Sequence, residues 1–307
     1  MLDLPTTLKG RHFTRVADFA PDELELVLET AVQLKAAARE DQHVLPGRAL
    51  GMIFQKPSTR TRVSFEVGIA QLGGHALYLR ADDLQLGRGE TIKDTAVVLS
   101  RYLDAIMIRT FDQADVEELA ANASIPVING LTDSAHPCQA LADVMTIRER
   151  LGRTEGVRVA YLGDGNNVCS SLMVACARLG SSFVAATPEG YEPDDQALAT
   201  ARESGQVDVT NAPQEAVRGA DVLYTDVWAS MGQDDEREQR LRDLEGYGIT
   251  RDLVSQAKDD AIVLHCLPAH YGEEITEEVL YSPSSAVWDQ AENRLHAQKA
   301  LMALVVR

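Results

Sequence analysis

The chain has 307 residues, 45% of them hydrophobic, which is enough for two domains of ordinary size with apolar cores. Its 47 acidic and 29 basic side chains give a formal net charge of −18. This charge argues against nucleic acid and anionic membrane as main partners, and it is typical of solubility, although a salty or hot habitat would favour it too.

The four cysteines, Cys138, Cys169, Cys176 and Cys266, form no CxxC pair and lie in apolar or motif contexts. We therefore expect reduced thiols rather than disulfides. The first residues contain no apolar leader-like run, and no stretch approaches the roughly 20 apolar residues that a membrane span needs. These features predict a cytoplasmic protein.

The first half of the chain alternates predicted helices and strands. An amphipathic helix begins near Pro21 and places Leu24, Val27, Leu28 and Ala31 on one face. The segments that follow are predicted in this order: strand "RALGMIFQ", helix "TRVSFEVGIAQLGG", strand "HALYL", helix "TIKDTAVVLSRYL", strand "AIMIR", helix "QADVEELAANA", strand "IPVIN" and helix "HPCQALADVMTIRERLG".

A second alternating series follows. It consists of strand "VRVAYLG", helix "NNVCSSLMVACARLG", strand "SFVAAT", helix "DDQALATARESG", strands "DVLYTDVW" and "AIVLHCL", and a last helix "ENRLHAQKALMALVV". Short apolar strands separated by helices predict parallel sheets covered on both faces. We therefore expect two α/β domains, each a parallel sheet flanked by helices, that meet near residues 150–156. Ligands of such sheets bind beyond the carboxyl ends of the strands, and two domains add a cleft between them.

The segment "STRTR", residues 58–62, follows a predicted strand and opens a helix. Backbone N–H groups in a first helical turn have no helical partner, and the hydroxyls with a guanidinium would supplement them, so the turn suits a phosphate. The alternative is an ordinary capped helix with solvated arginines. Arg109 ends the strand "AIMIR" and could bring a second guanidinium to this edge, although a strand-end arginine is more often a surface ion pair.

The segment "HPCQ", residues 136–139, opens another helix after a strand. His136 can donate to a carbonyl oxygen, and Gln139 can accept from an amide or amine, so the pair suits a carbamoyl or amide group. The alternative is a plain helix start with Pro137 in its first turn.

The segment "GDGNN" resembles a dinucleotide-binding turn but is incomplete. Gly163 and Gly165 fit the first two glycines of that pattern, while Val168 stands where the third belongs, which argues against a nicotinamide site. Asn167 instead offers an amide to a small polar ligand.

Two further segments end strands in the second half. "DVWASMG" supplies Asp226, whose carboxylate could hold an ammonium, or it is a simple turn. "HCLPAH" places Cys266 between His265 and His270, but a second convincing pair of metal ligands is missing, so a buried structural thiol or a substrate contact is favoured over a metal site.

In this order, "STRTR", "HPCQ", "GDGNN", "DVWASMG", "HCLPAH" and "ENRLH" resemble the ornithine carbamoyltransferases over nearly the whole chain. The chain departs from the family's usual pattern at Ser134-Ala135, before "HPCQ", and at Tyr271, after "HCLPAH". The resemblance implies transfer of a carbamoyl group from carbamoyl phosphate to the δ-amine of ornithine, giving citrulline and phosphate, in arginine biosynthesis. It implies no cofactor and no metal. It also implies a homotrimer, in which Gln85 reaches a neighbour's site.

The resemblance further implies domains at 1–149 for carbamoyl phosphate and 150–288 for ornithine, with a C-terminal helix at 289–307 that returns to the first domain and an active site in the cleft. The implied catalytic residues are Thr61, Arg109, His136 and Cys266. The implied carbamoyl phosphate residues are Ser58, Thr59, Arg60, Thr61, Gln85, Arg109, His136, Gln139, Cys266, Leu267 and Arg294. The implied ornithine residues are Asn167, Asp226, Ser230 and Met231. The alternatives are a carbamoyltransferase for putrescine or an acylated ornithine, and a catalytically silent sensor of a phosphate metabolite.

Overall fold

The computed structural model describes residues 4–80, 89–229 and 236–306. The chain divides into two compact units. Unit 1 comprises the residues up to Leu141 and those from Arg294 onward, and unit 2 comprises Ala142–Asn293. The division predicted from the sequence, at 149/150 and 288/289, stays a prediction.

Unit 1 is built from alternating strands and helices. The strands are β1 (Ala49–Phe54), β2 (His75–Arg80), β3 (Ala105–Arg109) and β4 (Val127–Leu131). The helices are α1 (Pro21–Ala36), α2 (Thr59–Gln71), α3 (Ile92–Leu99) and α4 (Gln113–Asn122), with short 3-10 helices at Val16–Asp18 and Arg39–Gln42.

The sheet of unit 1 is parallel, with the order β2-β1-β3-β4. One side of the sheet is filled by apolar side chains of β1, β3, β4 and α4, among them Ile53, Ile106, Val116 and Val127. Strand β2 lies at the edge of this sheet, and each of its residues is half-buried or exposed. The sequence had predicted strands covered on both faces, and β2 differs because an edge strand has a sheet neighbour on one side only.

Unit 2 contains a second parallel sheet. Its strands are β5 (Arg158–Leu162), β6 (Ser182–Ala186), β7 (Val207–Thr210), β8 (Val222–Thr225) and β9 (Ile262–His265), in the order β7-β6-β5-β8-β9. Its helices are α6 (Asn167–Arg178), α7 (Asp195–Ser204), α8 (Pro213–Val217), α9 (Arg237–Asp243), α10 (Arg251–Val254) and α11 (Glu277–Leu280). The predicted fold class, two parallel α/β sheets flanked by helices, is confirmed.

Two long helices run from one unit into the other along the chain. Helix α5 (Pro137–Leu151) begins in unit 1 and ends in unit 2, and α12 (Val287–Val306) begins in unit 2 and ends in unit 1. Within unit 1, Lys299 of α12 is 1% exposed and its ammonium donates to Gln42 at 2.5 Å and to Gln71 at 2.9 Å. Burial, with a smaller contribution from the charge of Arg39, lowers the pKa of Lys299 to about 8.

The strongly periodic segments of the sequence are the ones whose structure was predicted. Strand β7 and helices α8 to α11 were not predicted, because each has seven residues or fewer and little apolar periodicity of its own. In the part of the chain that the structure describes, no helix is both long and apolar enough to span a lipid bilayer.

Candidate active site

The first set of predicted site residues lies where the strand order of unit 1 reverses. From β1 the chain moves to β2 on one side, whereas β3 leads to β4 on the other. Loops that diverge in this way leave a crevice at the carboxyl edge of the sheet, which is the usual ligand site of open parallel sheets. Residues 58–61 follow β1 and Arg109 ends β3, so both lie at this switch point.

Ser58 is the N-cap of α2. Its Oγ accepts from the backbone N–H of Thr61 at 3.2 Å and lies 3.2 Å from Thr61 Oγ1. Thr61 is buried, whereas Thr59 and Arg60 are exposed. The turn is therefore a capped helix start, which was the alternative to a phosphate site in the sequence. It also presents the positive end of a 13-residue helix, which favours an anion there.

The second arginine of "STRTR" has a different environment. Arg62 Nε donates to Glu66 Oε1 at 3.0 Å, and its guanidinium carbon lies 3.9 Å from the centre of the Tyr78 ring. Arg62 thus belongs to the exposed face of α2. Of the two arginines in "STRTR", Arg60 alone stays a candidate for binding the ligand.

Helix α12 brings a buried arginine to the same set in unit 1. Arg294 is 4% exposed, and it donates to Gln139 Oε1 at 2.8 Å and to Thr61 Oγ1 at 3.1 Å. These bonds join the start of α2, the start of α5 and the first half of α12. Because a buried guanidinium keeps its charge, this cluster of three residues is a strong donor for an anion or a carbonyl oxygen.

His136 immediately precedes α5 and is 4% exposed. Its pKa lies well below the usual value of a histidine, first because of burial and then because of the charges of Arg294, Arg109 and Arg60. The imidazole is therefore neutral near neutral pH. A neutral ring can donate one hydrogen bond to a carbonyl oxygen without adding a further positive charge.

Lys56, at the exit of β1, is a further charged residue that was not predicted from the sequence. Lys56 is 7% exposed, its ammonium pairs with Asp133, and it lies 4.4 Å from the centre of the Phe111 ring. The loops after β1, β3 and β4 are thereby tied together within unit 1. The sequence carried no signal for this pairing, because 77 residues separate Lys56 from Asp133.

The second set lies at the corresponding position of unit 2. Strand β5 leads to β6 on one side and β8 leads to β9 on the other, so the order reverses between β5 and β8. Asp226 follows β8, and its Oδ2 accepts from Asn166 Nδ2 at 2.8 Å. Asn166 is also the N-cap of α6, and Asn167 is the first residue of that helix and is half-buried. Asn166 was missed from the sequence, although asparagine before a helix is a known capping signal.

Cys266 lies beside Asp226. Its Sγ donates to Asp226 Oδ1 at 2.8 Å, so the carboxylate is held on one oxygen by an amide and on the other by a thiol. The preceding His265 is buried; its Nε2 lies 3.1 Å from Glu274 Oε1, and its Nδ1 accepts from the N–H of Leu267 at 2.8 Å. Leu267 adopts the left-handed conformation, with φ of 59°.

Two groups of possible metal ligands occur among the described residues. They are Asp226, His265 and Cys266, and His270, Glu273 and Glu274. In the first group both ring nitrogens of His265 already have protein partners. In the second, Glu273 pairs with Arg237, and Glu274 accepts from His265 and from the N–H of His270. The expectation that no metal is needed stays a prediction.

The two glycines of "GDGNN" are explained by the local structure, because a side chain at either position would clash with its neighbours. Gly163 has φ of 116°, and a side chain there would meet Trp228 Nε1 at 2.9 Å. A side chain on Gly165 would come within 2.4 to 2.6 Å of the backbone at 191–193. The aspartate between them, Asp164, pairs with Arg240. Burial outweighs that pairing and raises the pKa of Asp164 to about 6.

The structure thus brings together the predicted residues in two groups, one in each unit. Unit 1 holds Ser58, Thr59, Arg60, Thr61, Arg109, His136, Gln139 and Arg294, and unit 2 holds Asn167, Asp226, Cys266 and Leu267. Gln85, Ser230 and Met231 lie outside the described residues.

Comparison with known proteins gives the family of the chain. The carbamoyl-P binding domain of aspartate/ornithine carbamoyltransferase matches residues 11–149, and the Asp/Orn binding domain of the same family matches residues 155–305. The chain belongs to the aspartate/ornithine carbamoyltransferase family. It is therefore a carbamoyltransferase, as predicted.

Similar proteins cover almost the full length. The ornithine carbamoyltransferase of Pyrococcus abyssi is 57% identical over 98% of this chain and 97% of its own. A relative from Pyrococcus furiosus, described as an anabolic ornithine carbamoyltransferase, is 56% identical over 98% of each chain. Among solved structures, ornithine carbamoyltransferase from Pyrococcus furiosus gives a TM-score of 0.94 at 57% identity, covering 97% of this chain and 98% of that one. The enzyme from Thermus thermophilus gives 0.88 at 42% identity, covering 99% and 100%.

The environment of His136 in this carbamoyltransferase predicts that its imidazole does not take up a proton near neutral pH. Because its pKa is lowered, the ring should stay neutral as the pH falls from about 8 to 6, the range in which an ordinary histidine gains its proton. NMR of histidine-labelled protein measures this, and the His136 signal is identified by its loss in His136→Asn. A His136 signal that shifts across this range would contradict the account.

Proposed function

We propose that the chain transfers the carbamoyl group of carbamoyl phosphate to the δ-amine of L-ornithine and releases L-citrulline and phosphate. The observation that carries the proposal is that each unit presents a half-site of different chemistry. Unit 1 offers a capped helix start with Arg60, Arg109 and Arg294, which suits an acyl phosphate. Unit 2 offers the carboxylate of Asp226, which suits the ammonium group of an amino acid.

The phosphate group would bind at the start of α2. Ser58, Thr59, Arg60 and Thr61 are assigned to it together with Arg109, and Gln85 of a neighbouring copy is expected to contribute. The carbamoyl end would be held by His136, Gln139 and Arg294, with Cys266 and Leu267 from unit 2. The short bonds from Arg294 to Gln139 and Thr61 support this division, because they preorganise donors beside the phosphate turn.

Ornithine is assigned to Asn167, Asp226, Ser230 and Met231, with Cys266 beside the reacting amine. The free δ-amine should titrate like a lysine, near about 10.4, so its reactive neutral form is scarce at pH 7. Activity should therefore rise toward alkaline pH. Cys266 donates to Asp226, which supports an orienting role for the thiol rather than a covalent one.

The chemical step is an attack of the neutral amine on the carbamoyl carbon. A C–N bond forms, negative charge develops on the carbonyl oxygen, and Thr61, Arg109 and His136 would stabilise it. The C–O bond to the phosphate then breaks, the phosphate leaves with the bridging oxygen, and the amine loses its extra proton. Losing one such donor typically costs about a hundredfold or more in rate.

A biosynthetic direction is supported by the relative described as anabolic. A homotrimer is supported by exposed apolar side chains of unit 1 on α2, β2 and α3, namely Val63, Val67, Leu77, Val97 and Val98. The cytoplasm remains the expected compartment.

The direct test of the function is citrulline formation from carbamoyl phosphate by the purified protein. Ornithine, putrescine, N-acetylornithine and aspartate are compared at equal concentration, and ornithine should be strongly preferred. Turnover of a different amine would overturn the ornithine assignment. Binding of carbamoyl phosphate without turnover of any amine would favour the sensor.

Arg60→Ala should weaken carbamoyl phosphate binding about 10- to 100-fold, because a charge-assisted bond to the phosphate is lost, and should change the ornithine KM little. Calorimetry and steady-state kinetics measure the two effects. Arg62→Ala is the matched control, since Arg62 lies two residues along the same helix and pairs with Glu66. Equal losses for both substrates in Arg60→Ala would count against the assignment.

Asp226→Asn should leave carbamoyl phosphate binding within about twofold and lower kcat/KM for ornithine about a hundredfold, because a charged partner of the amino acid is removed. Asp221→Asn is the control. Asp221 is another buried carboxylate of unit 2, paired with Lys258 and Arg153, and its loss should affect stability only. Unchanged ornithine kinetics in Asp226→Asn would refute the role.

A further inference from the structure

A buried polar network in unit 2 has no role in the mechanism described so far. Its members are Asp143 of α5, Tyr224 of β8 and Gln290 of α12, each with a relative exposure of 0%. Gln290 Nε2 donates to Asp143 Oδ1 at 2.7 Å and lies 3.1 Å from the Tyr224 hydroxyl. That hydroxyl in turn donates to Asp143 Oδ2 at 3.1 Å. Such a network costs free energy unless its members bond one another, so it specifies one arrangement of the surrounding segments.

The network reaches the two strand ends that carry the amine half-site. Gln290 Oε1 accepts from the backbone N–H of His265 at 2.9 Å, and Cys266 is the next residue. Tyr224 lies two residues before Asp226 on the neighbouring strand, and β8 and β9 are paired in register there. The thiol of Cys266 and the carboxylate of Asp226 are 2.8 Å apart, so a small shift of either strand end would separate them.

The same two helices carry members of the carbamoyl phosphate set. Gln139 lies four residues before Asp143 on α5, and Arg294 lies four residues after Gln290 on α12. Residues four apart share a helix face. Each helix therefore contributes one residue to the cluster of Arg294 and Gln139 in unit 1 and one to the network in unit 2.

We infer that Gln290, supported by Asp143 and Tyr224, is a positioning residue that holds Cys266 against Asp226 for amine attack. The inference rests on the proposed function. Gln290 touches no substrate in this account and acts through the backbone of His265. Its side-chain oxygen fixes the last residue of β9, while its nitrogen is anchored by a carboxylate that also fixes β8.

A second pair on the same helices serves as a matched comparison. Asn293 of α12 donates to Thr146 Oγ1 of α5 at 3.0 Å and to Glu149 Oε2 at 2.8 Å. Thr146 and Asn293 are as buried as Gln290. These bonds join helix to helix and involve neither β8 nor β9, so their loss tests stability without moving the strand ends.

The variants are Gln290→Met, which keeps the length of the side chain but removes its hydrogen bonds, Tyr224→Phe, which removes one hydroxyl, and Thr146→Val as control. Urea unfolding gives the loss of stability of each, and kinetics give kcat and both KM values. We expect Gln290→Met to lower kcat/KM for ornithine about 10- to 100-fold while carbamoyl phosphate binding stays within about twofold. Tyr224→Phe should lower kcat/KM for ornithine by a smaller factor. Thr146→Val should change neither kcat/KM for ornithine nor carbamoyl phosphate binding, although its loss of stability is comparable.

A second readout does not depend on turnover. Cys138, Cys169 and Cys176 are buried, so alkylation of the native protein by iodoacetamide reports on Cys266, the partly exposed thiol among the four. Loosening the strand end should raise the Cys266 alkylation rate in Gln290→Met several-fold above that of Thr146→Val.

The outcomes separate the two claims. If the wild-type protein forms no citrulline but the alkylation rate rises as expected, the proposed function fails and the positioning of Cys266 by Gln290 stands. If the wild-type protein is active and Gln290→Met matches Thr146→Val in both kinetics and alkylation, the inference is overturned. Because Tyr224→Phe is a mild change, it decides the question if Gln290→Met does not fold.

Discussion

Parallel strand pairing is the constraint on which the rest of the structure depends. In a parallel sheet every strand ends at the same edge, and a reversal of strand order makes two neighbouring loops diverge there. Both sheets contain such a reversal, between β1 and β3 and between β5 and β8. The segments that follow these strands can therefore carry polar side chains that bind ligands, while the side chains of the strands pack in the apolar cores.

Local electrostatics explains how so acidic a chain can bind an anionic substrate. The net charge of −18 acts at long range and is screened by salt over about 8 to 10 Å. Within the proposed carbamoyl phosphate set, Arg109 and Arg294 are buried and therefore much less screened, and the start of α2 adds its own partial charge. Burial is the main cause of the lowered pKa of His136, and the charges of Arg294, Arg109 and Arg60 lower it further, so the guanidinium groups that favour a phosphate also help to keep the imidazole neutral. In unit 2 the sign is opposite, because the carboxylate of Asp226 is held by the neutral groups of Asn166 and Cys266.

Much of the fold follows from patterns that the sequence displays locally. Alternating apolar strands and amphipathic helices predicted two parallel α/β sheets, and polar segments directly after strands predicted the candidate residues around Thr61, His136 and Asp226. Pairings between distant residues could not be predicted in this way. Lys56 with Asp133, Asp164 with Arg240, and Gln290 with Asp143 are joined only by the tertiary fold, and no spacing rule relates them. The pairing of Arg62 with Glu66 is different, because the two residues are four apart on a helix and this spacing could have indicated the pair from the sequence.

The central claim is that the amine attacks the carbamoyl carbon while the donors of unit 1 stabilise the carbonyl oxygen, so that the phosphate leaves with the bridging oxygen. Carbamoyl phosphate labelled with ¹⁸O at the bridging oxygen tests it most directly, with the released phosphate examined by ³¹P NMR after turnover with ornithine. Attack at the carbamoyl carbon breaks the C–O bond, so the account predicts that the label appears in the phosphate. Phosphate without the label would mean that the P–O bond had been broken, and the assignment of Thr61, Arg109 and His136 to a carbonyl oxyanion would be wrong.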